Sequence, residues 1–120
     1  MQDAKIKDMK KYVFIITDRN RLNLHVGISS DLVKTMDFYN QMPCLYFDPG
    51  QQLNRLVYFE EFTTDQAANA RFALINQFTK MQKERLIRSA NVDWLDLSSA
   101  IRAEQHYLLQ LASTSFYQVA

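Results

Sequence analysis

A nearly apolar segment at residues 12–17, Tyr-Val-Phe-Ile-Ile-Thr, constrains the fold more than any other part of the chain. Such a run predicts a central β-strand that is covered on both faces. A polar turn at residues 18–21 follows it, and residues 22–28 then alternate, with His25 on the face opposite the apolar side chains. The two segments therefore predict a β-hairpin.

The second strand ends near Gly27, and the residues after it predict a helix start. Ser29, Ser30 and Asp31 are residue types that cap helix N-termini, so we expect a tight turn into a helix over residues 31–40. Such turns are common without any chemistry, and that is the simplest interpretation of this one.

The next part of the chain predicts a third strand at residues 55–62. The pattern Thr63-x-x-Gln66 matches a capping box and predicts the start of the longest helix, over residues 64–77. A break near Thr79 is expected to end it.

Residues 82–88 then predict a basic helical segment. Ser98 is the expected cap of a last helix, and residues 113–120 are the expected tail. The order of these elements predicts an α+β fold, in which a small three-stranded antiparallel sheet is flanked by helices and followed by an extra C-terminal helix.

The 120 residues suit one domain, and the chain contains no repeat or linker. We expect residues 1–11 to be an N-terminal lead-in and residues 12–97 to be the domain. Residues 98–120 are expected to form a C-terminal helix and tail that pack on the domain or extend it.

Composition narrows the classes of protein. Cys44 is the only cysteine, which argues against a disulfide framework. No apolar run reaches the ~18 residues that span a bilayer, and residues 1–11 lack an apolar signal-peptide core. We therefore expect a cytoplasmic protein with no membrane partner. A net charge of +1 does not indicate a strong nucleic-acid binder, although a local patch can still bind.

Two short motifs and a helix start resemble the GIY-YIG nuclease superfamily, in particular its small single-domain branch. Tyr12-Val13-Phe14 stands in the place of the first motif, and His25-Val26-Gly27 stands in the place of the second. Ile28-Ser29-Ser30-Asp31-Leu32 follows without a gap. Later segments are similar to the family's third strand and closing segments, namely residues 56–62, 79–87 and 91–97. The resemblance covers about residues 11–97 and implies a GIY-YIG-like form of the α+β fold.

The resemblance also implies metal-assisted phosphodiester hydrolysis by a tyrosine pair, an arginine and a metal-binding glutamate. This chain departs from the family at each of these positions. Phe14 and His25 take the places of the two tyrosines, Thr35 takes that of the arginine, and Phe72 takes that of the glutamate.

Phe72 matters most, because a phenyl ring offers no oxygen to a hard divalent ion. We therefore expect no metal site and no cofactor, with Mg²⁺ or Mn²⁺ required only if the chain is active. Lys34 lies beside Thr35 but ~100° round the helix, so it is a poor substitute for the arginine. The nearby carboxylates Glu60, Glu61 and Asp65 have no evident reason to reach the same spot.

The first hypothesis is a binding module that has lost endonuclease activity. His25, Thr35, Tyr39 and Phe72 would line a pocket more apolar than that of a nuclease, and the ligand would be DNA, another nucleic acid, a small molecule or a protein. The candidate phosphate-contacting residues are Lys34, Arg71, Lys80, Lys83, Arg85 and Arg88. For the basic helix the alternative is an ordinary solvated face.

Two other hypotheses stay open. In the first, His25 is the general base of an altered metal-dependent DNA endonuclease, because an imidazole titrates near neutral pH. The alternative for His25 itself is a polar residue on a less-buried strand face. In the second, the chain is an assembly module that forms homo-oligomers through apolar side chains, namely Met42, Leu45, Tyr46, Phe47, Phe116 and Tyr117.

Overall fold

The computed structural model of the chain describes residues 10–41 and 52–119, with the side chains of all of these except 109 and 111–119. Over these residues it has three strands and four helices. The strands are β1 (Lys11–Thr17), β2 (Leu24–Ser29) and β3 (Arg55–Phe62). The helices are α1 (Leu32–Gln41), α2 (Asp65–Asn76), α3 (Lys80–Ala90) and α4 (Ser98–Val119). The predicted α+β class, with three antiparallel strands and a C-terminal helix, is confirmed.

The apolar first strand lies at the centre of the sheet, whose order is β2-β1-β3. β1 is antiparallel to both neighbours. Val13 and Ile15 face one side of the sheet and Phe14 and Ile16 face the other, and none of the four is more than 2% exposed. Because successive side chains of a strand point to opposite faces, a strand covered on both sides must be apolar throughout.

Each face of the sheet has its own core. On the first face, α2 and α3 contribute Ala68, Ile75 and Ile87, which pack with Val13 and Ile15. On the second face, α1 contributes Leu32 and Met36, which pack with Phe14, Ile16 and Leu56, and α4 covers this layer through Ile101. The layers leave β2 at one edge of the sheet, next to α1 and α2.

The helix starts correct two sequence predictions. The cap of α2 is Thr64 rather than Thr63, since the Thr64 side chain accepts a hydrogen bond from the backbone N–H of Ala67. The capping box lies instead at α3, where Thr79 Oγ1 accepts from the N–H of Gln82 at 3.1 Å and Gln82 Oε1 accepts from the N–H of Thr79 at 2.8 Å. The predicted break near Thr79 is thus the capped N-terminus of the separate helix α3.

The C-terminal part of the chain also differs from the prediction. α2 has 12 residues, whereas α4 has 22 and continues to Val119, where we expected a tail from residue 113. Ser98 does not cap α4 with its own oxygen. Its N–H and its hydroxyl both donate to Asp96 Oδ1, which also accepts from the N–H of Leu56. Asp96 therefore fixes the start of α4 to β3.

Some predictions fall outside the described part of the chain. These concern residues 1–9 of the lead-in, Cys44, the apolar residues Met42, Leu45, Tyr46 and Phe47, and the side chains of Phe116 and Tyr117. Among the residues that the structure does describe, no helix combines the length and the hydropathy needed to cross a membrane.

Candidate functional site

The turn from β2 into α1 is held by hydroxyl groups. Ser29 Oγ accepts from the N–H of Asp31 at 3.0 Å and lies 2.6 Å from Thr35 Oγ1, which donates to the carbonyl of Asp31 at 2.8 Å. Asp31 Oδ1 accepts from the N–H of Lys34 at 3.0 Å, as a helix-capping carboxylate does. The Thr35 hydroxyl, at the position that the resemblance gives to an arginine, thus forms bonds within this turn.

Gly27 is required by the ring of Phe14. The two residues face each other across β1 and β2, and a Cβ at position 27 would lie 2.3 Å from Phe14 Cζ. Phe14 is 2% exposed, so its ring has little room to move away. The packing of the Phe14 ring on Gly27 therefore forms the contact between the two motif strands at this position.

An open cleft of about 480 Å³ lies at the β2 edge of the sheet, between α1 and α2. We call it the His25 cleft. Among the described residues it is lined by Phe14, His25, Val26, Gly27, Ile28, Lys34, Thr35, Phe38, Tyr39 and Phe72. The structure thus brings together Phe14, His25, Thr35 and Phe72, the four positions singled out from the sequence.

His25 and Tyr39 form the polar pair of this cleft. Tyr39 Oη lies 3.2 Å from His25 Nε2, and the two ring centroids are 5.9 Å apart. Burial lowers the pKa of His25, and the charge of Lys83 lowers it further. Burial raises the pKa of Tyr39. At neutral pH the cleft therefore holds a neutral imidazole beside a protonated phenol.

Aromatic rings make up much of the remaining wall. Phe72 is half-buried, and its ring belongs to the core under α2. Phe38 is 61% exposed and packs edge-on against Tyr39, with 5.4 Å between centroids and 81° between ring planes. An exposed phenylalanine at the mouth of a cleft gives a flat apolar surface against which a planar ligand can stack.

The six candidate phosphate-contacting residues lie in different parts of the structure. Lys34 lines the cleft, and Lys83 lies close enough to lower the pKa of His25. Arg85 is two residues beyond Lys83 and so ~200° round α3 from it. Lys80 and Arg88 are exposed on the same helix. The six candidates therefore do not form one continuous patch facing the cleft.

Arg71 is held by an ion pair at the end of β3. Its guanidinium donates to both oxygens of Glu60, at 2.9 Å from Nε and 2.8 Å from Nη2. Tyr58 donates its hydroxyl to the same carboxylate. Burial raises the pKa of Glu60, but the bonds from Arg71 and Tyr58 outweigh it and the net shift is downward. Burial and the Glu60 contact raise the pKa of Tyr58 to about 12.

The carboxylates near the cleft in sequence have partners of their own. Glu61 pairs with Lys10 at 3.6 Å and Asp65 with Lys11 at 3.8 Å, while Glu60 is bound by Arg71. Within residues 10–41 and 52–119, no three histidine, cysteine or acidic side chains gather as a metal site would require. The described lining of the His25 cleft includes no carboxylate.

A scan against protein-family models finds no match, and a search of curated proteins finds none. The chain is similar to the solution NMR structure of the UPF0213 protein BH0048 from Bacillus halodurans. The TM-score is 0.49 and the sequence identity 17%, over 75% of this chain and 95% of that chain. The fold class of the present chain rests on the strand order and helix placement described above.

Sequence reasoning missed three features of this region. Phe38 received no role, although its place four residues after Lys34 puts both on one face of α1. The contact between Phe14 and Gly27 depends on strand register, which only the pairing of β1 with β2 fixes. The Glu60–Arg71 pair joins β3 to α2 across 11 positions, and no motif signals it.

Proposed function

We propose that this chain is a GIY-YIG-like domain that binds nucleic acid without cutting it, and that the His25 cleft is the binding site. One observation carries the proposal. The cleft has Phe14 and Phe72 where the resemblance implies a tyrosine and a metal-binding glutamate. Hydrolysis by the family's route needs a carboxylate to hold the ion, and these two rings supply none. The exposed ring of Phe38 in the same lining is the surface on which a base can stack.

Single-stranded nucleic acid is the ligand that fits this lining best. Unpaired bases stack on aromatic side chains, and the exposed ring of Phe38 lies beside Tyr39 at the mouth. Lys34 in the cleft and Lys83 near His25 supply positive charge for the phosphates. A cytoplasmic location stays a prediction, as does the role of each basic residue.

Binding is tested by the fluorescence anisotropy of a labelled single-stranded DNA oligonucleotide. Phe38→Ala is expected to weaken binding roughly 5- to 150-fold, since one base–aromatic stack contributes about 1–3 kcal/mol. Leu95→Ala is the matched control, because Leu95 is 62% exposed and does not line the cleft. Affinity should also fall steeply as salt increases. Equal affinities for the two variants, or no binding by the parent, would contradict the proposal.

Loss of catalysis is tested separately with a nicking assay on supercoiled and branched DNA in Mg²⁺ or Mn²⁺. The parent is expected to leave the DNA intact. A Thr35→Arg, Phe72→Glu double variant is assayed beside it, because it restores the arginine and the glutamate that the resemblance implies. Cleavage by the parent that His25→Ala abolishes would instead support the altered endonuclease.

A further inference from the structure

The imidazole of His25 has one nitrogen held by the protein and one available to a ligand. His25 is exposed on the edge strand β2 and lines the His25 cleft. Its Nε2 lies 3.2 Å from Tyr39 Oη. Within residues 10–41 and 52–119, the imidazole forms no other hydrogen bond. Nδ1 is therefore the atom with which a ligand in the cleft can bond.

The contact between His25 and Tyr39 is compatible with both protonation states of the imidazole. A neutral imidazole has one donor and one acceptor nitrogen, whereas both nitrogens of the imidazolium ion donate. The phenol of Tyr39 can donate or accept, and because burial raises its pKa it stays protonated at neutral and acidic pH. Tyr39 can thus hold Nε2 in either state. In the imidazolium ion Nδ1 is then a charged donor on a ring that is already oriented.

The charges that meet His25 in the cleft are positive. Lys83 of α3 acts on the pKa of His25, and Lys34 of α1 lines the same cleft. α2 contributes Phe72 to the lining, and β1 places Ile16 opposite His25, and both of these side chains are uncharged. The imidazole therefore lies among basic and apolar groups.

The carboxylates of the neighbouring helices do not offset these charges. None of the acidic residues on α1, α2 and α3 contributes to the shift in the pKa of His25, namely Asp37, Asp65 and Glu84. Asp37 pairs instead with Arg102, and Asp65 with Lys11. Protonation of His25 is therefore opposed while the cleft is empty, since a like charge disfavours the imidazolium ion.

A phosphate group in the cleft would reverse this balance. An opposite charge within ~4–6 Å favours the charged form of a titratable group, and a charge-assisted hydrogen bond from Nδ1 would add to the attraction. Linkage then works in both directions. A ligand that favours the protonated protein is itself bound more tightly once the protein is protonated.

We propose that single-stranded nucleic acid binds the His25 cleft with uptake of one proton, so that His25 as an imidazolium ion donates through Nδ1 to a backbone phosphate while Tyr39 holds Nε2. The proton comes from solvent, and affinity rises as the pH falls from 8 to 5. This inference rests on the function proposed above and adds to it a phosphate-contacting residue and a pH dependence. His25 is then a binding residue at a position where the resemblance implies a catalytic tyrosine.

The test measures the affinity for oligothymidylate, labelled with a pH-insensitive dye, at pH 8 and pH 5 and constant ionic strength. Thymine bases and phosphodiesters do not titrate in this range, so a change in affinity reports on the protein. The parent is expected to bind roughly fivefold more tightly at pH 5. His25→Gln should lose this increase. His106→Gln should keep it and is the matched control, because His106 is the other histidine of the chain and lies on α4 outside the cleft.

A second measurement needs no variant and so does not depend on how His25→Gln folds. NMR titration of the parent, free and saturated with oligothymidylate, should show that the nucleic acid raises the pKa of His25. Equal ratios of affinity between the two pH values in all three proteins, or a pKa that the nucleic acid leaves unchanged, would overturn the inference and leave binding at the cleft intact. A parent that binds at neither pH would overturn the proposed function, and this inference with it.

Discussion

At the scale of single residues, the contact between Phe14 and Gly27 connects the resemblance to the packing. The first motif ends in a phenylalanine, and the second ends in the residue on which that ring packs. Position 27 is a glycine because the Phe14 ring occupies the space that a side chain would need. Its backbone needs no special conformation, since no glycine in the described residues has a positive φ.

Gly27→Ala is expected to destabilise the protein by about 1–3 kcal/mol, the usual cost of an extra methyl group in a well-packed core. The cause is the 2.3 Å approach of the new Cβ to Phe14 Cζ. Urea denaturation measures the loss. Adding Phe14→Leu should recover part of it, because the shorter side chain makes room. A Gly27→Ala protein with an unchanged midpoint would show that the ring moves freely.

His25 is expected to titrate below the ordinary value of about 6.5, because burial and Lys83 both disfavour the imidazolium form. Lys83→Gln should raise the pKa of His25, and Lys80→Gln, three residues earlier on α3, should change it less. NMR titration of the imidazole protons measures both values. No difference between the two variants would show that Lys83 does not act on this ring.

The sign of the linked stability follows from the same shift. The folded pKa of His25 lies below the unfolded value, so protonation opposes folding. The contribution of His25 to stability is complete above pH about 6.5 and decreases as the pH falls from that value through the folded pKa.

At the scale of elements, the capped start of α3 determines where the basic residues of that helix lie. Thr79 and Gln82 exchange two hydrogen bonds, and these bonds cap the N-terminus of α3. α3 then packs Ile87 against the core and brings Lys83 towards His25. The position of Lys83 therefore depends on the cap.

Thr79→Ala should destabilise the protein by about 0.5–2 kcal/mol, as the loss of an N-cap typically does. Thr63→Ala is the matched control, because Thr63 precedes the real cap Thr64 and is exposed, so its loss should change stability little. Thermal or urea denaturation distinguishes the two. A larger effect at Thr63 would support the capping box that the sequence pattern predicts there.

How far the sequence predicts these elements depends on how local the cause is. β3 and the central strand follow from runs of apolar residues, and both were predicted within one residue of their bounds. The cap of α2 was misplaced by one position, because two threonines stand side by side and only backbone geometry selects Thr64. The length of α4 was underestimated, since its weakly amphipathic end gives no clear stop.

The His25 cleft could likewise be predicted only in part. The resemblance pointed to Phe14, His25, Thr35 and Phe72, and these residues do line one cleft. The bond between His25 and Tyr39 and the field of Lys83 join residues distant in the chain. Such pairings depend on how α1 and α3 pack on the sheet, and no local pattern specifies them.

At the scale of the whole molecule, α4 closes the second core. Ile101 packs on the layer formed by Phe14, Ile16, Leu32, Met36 and Leu56, and Arg102 forms an ion pair with Asp37 of α1. The first turns of α4 therefore pack on the second core and on α1.

A chain ended after residue 97 is expected to be less stable than one ended after residue 109. Removal of Ile101 uncovers apolar surface. Because Ile101 is only partly buried, its loss should cost less than the about 1.5–3 kcal/mol that full burial of such a side chain contributes. Urea denaturation of the two truncated chains beside the parent measures the difference. Equal midpoints would instead favour a domain complete at residue 97, with α4 as an appendage.

The central place of β1 has a consequence for synthesis on the ribosome. Of the described strands, β1 and β2 are made first, and β3, the second neighbour of β1, ends at Phe62, which is 62 − 29 = 33 residues after Ser29 ends β2. At ~5–20 residues per second, that interval lasts about 2–7 s. Throughout it the emerging hairpin presents one unpaired edge of an apolar, proline-free strand, the type of segment that joins other chains. Slow translation of residues 18–62 should therefore lower the yield of soluble protein, and a nascent-chain chaperone should restore it.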